Sequence, residues 1–135
     1  GNGASRESLL EQANGFLEGG NYEQAARHAR AAASLDPNNK ELSLLVKEFD
    51  ARMIATIEED GIRLEATPVL ETPLENLRST SFSPEEGFIL SRINGTSDLA
   101  SIVKVSPLPK IDSLLVFKKL VEDGHIRLLN LLDEG

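Results

Sequence analysis

Few side chains in this sequence are of the types that usually perform catalysis or hold metals. Its 135 residues include no cysteine and only two histidines, His28 and His125. The lack of cysteine excludes disulfides, thiolate zinc sites, iron–sulfur clusters and cysteine nucleophiles. Neither histidine has a second ligand at a spacing typical of metal sites. We therefore interpret both as packing or surface residues and predict no metal and no cofactor.

Two runs of acidic residues, Glu58-Glu59-Asp60 and Glu85-Glu86, are candidates for acid–base pairs. Neighbouring side chains point in different directions on a helix, so neither run converges on one substrate atom. Glu85-Glu86 also fits the first turn of a helix, where the helix dipole favours acids. No serine lies in a Gly-x-Ser-x-Gly context, and Gly19-Gly20 opens no phosphate-binding loop. The sequence predicts no catalytic residues and no enzymatic activity.

Composition and charge argue against binding to membranes and to nucleic acid. The chain is 40% apolar and 27% charged, which is typical of a soluble globular protein. No apolar run approaches the roughly 20 residues that a membrane helix needs. The net charge of −8, to which residues 1–60 and 61–135 both contribute, argues against attraction to nucleic acid or anionic lipid. We expect a cytoplasmic protein that does not engage a membrane.

Apolar spacing predicts three helices in the first 60 residues, over 6–18, 22–35 and 40–59. Ser5 is the expected N-cap of the first helix, and Gly19-Gly20-Asn21 is the expected turn after it. The third helix is predicted to stop at Gly61 and to bury one face, formed by Leu42, Leu45, Val46, Phe49, Met53 and Ile57.

Composition changes near Gly61, because ten of the twelve alanines precede residue 60 and five of the six prolines follow it. We place a domain boundary there and predict two domains, 1–60 and 61–135. The chain begins Gly1-Asn2-Gly3-Ala4 without methionine or a signal segment, which is typical of a cloning remnant on a fragment.

The second domain is predicted to contain three helices and one strand. The first helix follows Ser83-Pro84, the second opens at Ser97, and the third runs from Pro109 to Gly124. Residues 125–129 form the expected strand, and the segments 62–64 and 68–70 are candidate extended pieces. Gly87 lies inside the first helix at a cost of about 1 kcal/mol relative to alanine, so we expect another backbone to approach it closely. Asn94-Gly95-Thr96 is interpreted as an Asn-Gly turn rather than a glycosylation site.

Residues 6–39 carry the spacing of a known helical repeat. The matching positions are Ala13, Gly20, Tyr22, Ala25, Ala32 and Pro37, the last within Leu35-Asp36-Pro37-Asn38-Asn39. This segment resembles a tetratricopeptide repeat, whose period is about 34 residues. Leu9 stands where the repeat usually has an aromatic residue, and Gln12 stands where it usually has leucine. The resemblance implies a hairpin of two helices with close alanine contacts, and we expect helix 40–59 to cap it.

The same resemblance implies that a peptide or partner helix binds the groove lined by the first helix. In this chain that face carries Leu10, Asn14, Leu17 and Glu18. Repeats that clamp chaperone carboxyl termini use lysine and asparagine there. Asn14 matches, but Leu10 and Glu18 supply no cation, so we do not expect carboxylate clamping.

Residues 81–129 resemble the winged-helix-like modules that end many multidomain bacterial regulatory proteins. The resemblance rests on 82–88, on 91–95 and on Ser106-Pro107-Leu108-Pro109, and it implies regulatory attachment rather than a reaction. An alternative is DNA binding through a helix-turn-helix at 97–124. Its outward face, predicted to hold Asp112, Ser113, Lys119 and Asp123, offers no arginine, asparagine or glutamine to read bases. The phosphate contacts of this alternative would be Lys104, Lys110, Lys118, Lys119 and Arg127.

These observations predict a mainly α protein with a small β component. A tetratricopeptide-type hairpin and capping helix precede a winged-helix-like α+β domain. We expect a non-enzymatic interaction module, an adaptor or scaffold fragment in a bacterial regulatory, polarity, motility or chaperone-adaptor assembly.

Overall fold

A computed structural model describes residues 6–77 and 81–130. The predicted cap Ser5 and the first four residues lie outside these ranges. The elements in chain order are α1 (Arg6–Glu18), α2 (Tyr22–Leu35), α3 (Lys40–Glu59), β1 (Thr67–Leu70), α4 (Leu74–Leu77), α5 (Pro84–Arg92), α6 (Leu99–Val105), α7 (Lys110–Glu122) and β2 (Ile126–Leu129). The prediction of a mainly α chain with a small β component is confirmed. None of the helices in the described ranges has the length and apolarity to cross a membrane.

The chain forms two compact units, Gly1–Thr56 and Ile57–Gly135. The division between them falls inside α3, whereas composition places a boundary at Gly61. The domain ranges 1–60 and 61–135 stay predictions.

The first unit begins with a hairpin of α1 and α2. Gly20 has a φ of +80°, which side chains disfavour and glycine accepts. This conformation lets the Gly20 N–H donate to the Leu17 carbonyl at 3.1 Å and the Asn21 N–H donate to the Phe16 carbonyl at 2.8 Å, which satisfies two carbonyls at the end of α1. The Asn21 side chain then caps α2 by accepting from the Gln24 N–H at 3.3 Å. The predicted turn is confirmed at atomic detail.

Alanines form the contact faces of this hairpin. Ala13, Ala25 and Ala32 are fully buried, and Ala29 is nearly so. Tyr22 is buried at the first position of α2, and Pro37 is exposed in the turn after α2. Small side chains allow two helix backbones to approach closely. The alanines and Tyr22 of the repeat-like spacing are thus buried, whereas Gly20 and Pro37 lie in turns.

Helix α3 buries one side and exposes leucines on another. Leu42, Phe49, Met53 and Ile57 are almost completely buried. The inclusion of Leu45 in this face is wrong, because 45% of Leu45 is exposed, and Leu44 beside it is 61% exposed. Leu45 lies four residues before Phe49, a spacing that predicts a shared helix face. The buried residues Leu42 and Phe49 are instead seven residues apart, so the buried face of α3 is narrower than predicted.

The second unit combines a two-stranded antiparallel sheet with helices. The strands β1 and β2 pair with Pro68 opposite Leu128 and Leu70 opposite Ile126. The Glu71 N–H donates to the His125 carbonyl at 2.9 Å. In the alternating antiparallel pattern, Pro68 then falls at a position whose N–H would face away from β2, so the sheet loses no hydrogen bond there. The candidate strand at 68–70 is confirmed, whereas residues 62–64 are irregular.

Helix α7 is the central element of this unit and contacts α5, α6 and β2. Its buried residues are Ile111, Ser113, Leu114, Phe117 and Leu120. The prediction that Ser113 faces outward is wrong. The Ser113 hydroxyl is fully buried and donates to the Ser106 Oγ at 2.9 Å, and that oxygen also accepts from the Leu108 N–H at 3.1 Å. Ser113 therefore fastens the turn between α6 and α7.

Gly87 lies on α5 without any neighbour that requires a glycine. A β-carbon added at Gly87 would meet no atom within 4 Å, and the residue is exposed. The expected close approach of another backbone within the described chain is therefore wrong.

Replacing Gly87 with alanine should increase the free energy of unfolding by about 1 kcal/mol, because alanine restricts the unfolded chain and favours helix. Urea denaturation of the full chain measures this change. Gly124→Ala is the matched control, because Gly124 has a φ of +78°, where a side chain costs about 1–2 kcal/mol. Equal effects of the two substitutions would contradict the assigned backbone conformations.

Candidate functional site

The four predicted groove residues on α1 differ in accessibility. Leu10 and Asn14 are half-buried, and Glu18 is exposed. Leu17 is only 9% exposed, so its side chain belongs mainly to the core of the first unit. A change such as Leu17→Glu would therefore report on folding before it reported on binding.

Asn14 uses both ends of its amide within the first unit. Its Nδ2 donates to the Leu10 carbonyl at 3.1 Å. Its Oδ1 accepts from Nη2 of Arg52 on α3. This hydrogen bond joins two residues that lie 38 positions apart and brings α3 beside α1.

Two contacts orient the Arg52 guanidinium. It lies 5.8 Å from the centroid of the Phe49 ring, within the range of a cation–π interaction, and it donates to Asn14. The side chain is nevertheless exposed. A guanidinium has five N–H donors in a planar fork, and the described contacts use one of them. Arg52 is thus a positioned cation that faces solvent.

Exposed residues extend this surface along α3. Leu44, Glu48 and Arg52 are all exposed. Their four-residue spacing places them one turn apart along the same side of the helix. We call Leu10, Asn14, Leu44, Glu48 and Arg52 the α1/α3 surface. It combines apolar side chains with a positioned cation and an acid.

Sequence reasoning missed the contribution of α3. The available signal is the four-residue spacing of Leu44, Glu48 and Arg52, which places them on one side of the helix predicted over 40–59.

The two histidines lie in ring contacts. His28 is 4.8 Å from Phe16 between ring centroids, and its Nδ1 lies 2.8 Å from the Gln24 carbonyl oxygen. His125 meets the Phe82 ring nearly edge-on at 5.2 Å. Within residues 6–77 and 81–130, no group of three or more histidine or acidic side chains is placed to hold a metal ion.

Glu86 is a structural carboxylate. Its Oε1 accepts from the Ser83 N–H at 2.9 Å, and its own N–H donates to the Ser83 hydroxyl at 3.1 Å, which forms a reciprocal N-terminal cap on α5. Its other oxygen lies 3.5 Å from the Lys119 Nζ. Burial raises the pKa of Glu86, but the hydrogen bonds from Ser83 and the charge of Lys119 outweigh burial and hold the pKa below its ordinary value. The sequence predicts only that Glu86 compensates the helix dipole. The structure shows that Glu86, which is only 8% exposed, also caps α5 and contacts α7.

Three of the five candidate phosphate contacts lie against acids. Lys119 pairs with Glu86, and Lys118 pairs with Glu122 one turn along α7. The Arg127 Nε lies 2.6 Å from Glu71 across the sheet. Lys104 and Lys110 are exposed on α6 and α7. The cations of the helix-turn-helix alternative are therefore largely neutralised by neighbouring acids.

Comparison of the sequence with protein families, with curated proteins and with solved structures gave no match. The likeness to tetratricopeptide repeats and to winged-helix-like modules stays a prediction from the residues themselves.

Glu86→Gln should lower the free energy of unfolding by about 1 kcal/mol at neutral pH, because the Ser83 and Lys119 contacts lose a charged acceptor. A carboxyl whose pKa is lowered by folding stabilises the protein above its ordinary pKa of 4.5. That stabilisation is lost as pH falls through the folded-state pKa. The difference between the two proteins should therefore disappear in acid. Urea denaturation across this pH range measures the effect.

Glu85→Gln serves as the control, because Glu85 is exposed in the same helical turn. Its loss of stability should be smaller at neutral pH. The assignment fails if both substitutions cost the same, or if the Glu86→Gln difference does not shrink as pH falls below the ordinary carboxyl pKa of 4.5.

Proposed function

We propose that this chain is a non-enzymatic interaction module that binds a segment of another protein on the α1/α3 surface. Within that role it acts as an adaptor or scaffold part of a bacterial-type regulatory assembly. The observation that carries the proposal is the exposed Arg52 guanidinium, held by Asn14 and Phe49.

A positioned arginine favours binding because less side-chain entropy is lost when a ligand arrives. Arginine is also enriched among the residues that dominate binding energy at protein interfaces. Arg52 retains donors that suit an acceptor group of a partner, such as a carboxylate or a backbone carbonyl. The surface is therefore suited to a polypeptide ligand with a polar anchor.

Leu44 supplies the apolar part of the same surface. Burying a leucine side chain contributes about 1.5–3 kcal/mol relative to leaving it exposed, and 61% of Leu44 is exposed. Leu10 adds a half-buried apolar side chain on α1, one helical turn before Asn14. We expect the bound segment to place an apolar side chain against these leucines and an acceptor against Arg52.

A random peptide library displayed on phage and selected on the full chain tests this proposal. Selected peptides should lose about 2 kcal/mol of binding energy, roughly thirtyfold in Kd, with Arg52→Ala. Leu44→Ser should weaken the same peptides. Isothermal titration calorimetry measures both losses.

Matched controls keep the result specific to this surface. Arg27 is exposed on α2, and Val105 is 58% exposed in the second unit, so Arg27→Ala and Val105→Ser should leave peptide affinity unchanged. Peptides that bind all four variants equally would contradict the proposal. Nanomolar binding of duplex DNA at physiological salt, typical of specific DNA-binding proteins, would favour the helix-turn-helix alternative instead.

A further inference from the structure

The connection between α5 and α6 contains the dipeptide Asn94-Gly95, which the proposed function does not use. Asn94, Gly95 and Thr96 are all exposed. Gly95 has a φ of +82° and open space around its α-carbon, as expected for an Asn-Gly turn. No side chain at position 95 shields the backbone nitrogen that follows Asn94.

The Asn94 side-chain oxygen accepts three hydrogen bonds. It accepts from the Thr96 N–H, the Thr96 hydroxyl and the Ser97 N–H, each at 2.9 Å. Donors at this distance stabilise negative charge that develops on a carbonyl oxygen during nucleophilic addition. The turn therefore polarises the Asn94 amide carbon.

We propose that Asn94 is a site of spontaneous deamidation. The Gly95 backbone nitrogen attacks the Asn94 Cγ and loses its proton, the Cγ–Nδ2 bond breaks, and ammonia leaves, which produces a five-membered succinimide. Water then opens the ring at either carbonyl. The products are aspartate and isoaspartate, with no oxidant or reductant required.

The chain contains an internal control with the same dipeptide, Asn14-Gly15. Both residues lie inside α1. Because Arg52 also donates to the Asn14 oxygen, the helical backbone is what distinguishes this site from Asn94. The Gly15 nitrogen belongs to a helical backbone, where N–H groups donate to carbonyls four residues earlier. Ring closure at Asn14 would have to break the helix, whereas ring closure at Asn94 takes place in an exposed turn.

The experiment is prolonged incubation of the full chain at neutral pH, followed by peptide mapping with mass spectrometry and an isoaspartate assay. The chain has three Asn-Gly dipeptides, at Asn2, Asn14 and Asn94, and peptide mapping separates their products. In urea Asn14 and Asn94 should convert at similar rates. In the folded chain the ratio of conversion at Asn94 to conversion at Asn14 should rise by at least about tenfold.

The variant Thr96→Val removes one of the three donors at constant side-chain shape. It should slow conversion of Asn94 severalfold while leaving Asn14 unchanged. A conversion ratio in the folded chain equal to that in urea, or an Asn94 rate unaffected by Thr96→Val, would overturn the proposal.

Discussion

Close approach of two helices through alanine side chains is the constraint on which the first unit depends. Ala13, Ala25 and Ala32 are completely buried, so a larger side chain at these positions would overpack the core of the unit. A core made of alanine buries little apolar area by itself, and the most deeply buried large side chains of this unit, Phe49 and Met53, lie on α3. The placement of α3 in turn brings Arg52 to Asn14, and this contact creates the surface to which we assign function.

The second unit relies on satisfied polar groups at its helix ends and turns. Glu86 and Ser83 cap α5 reciprocally, and buried Ser113 fixes the turn that leads into α7. The same arrangement pairs Lys119 with Glu86. The Lys119 ammonium, a candidate phosphate contact, is thus used to hold the fold.

Local signals made most helix boundaries predictable. Asn21, Ser83 and the glycines after α1, α3 and α7 act on the backbone within a few residues, so their effects are readable from sequence. Features that depend on distant residues were not readable in the same way. Each strand has a local signal, but the pairing of β1 with β2 joins segments far apart in the chain, and the burial of Ser113 depends on its bond to Ser106. The exposure of Leu45 and the position of Arg52 likewise follow from how α3 packs, which periodicity alone does not determine.

The central claim is that Asn14 positions Arg52 for a partner. A double-mutant cycle of Asn14→Ala and Arg52→Ala tests it most directly, measured as the affinity for a peptide selected on the unmodified chain. The account predicts strong coupling, so that Asn14→Ala weakens binding when Arg52 is present and has almost no effect once Arg52 is removed. Additive losses, or no loss from either substitution, would contradict it.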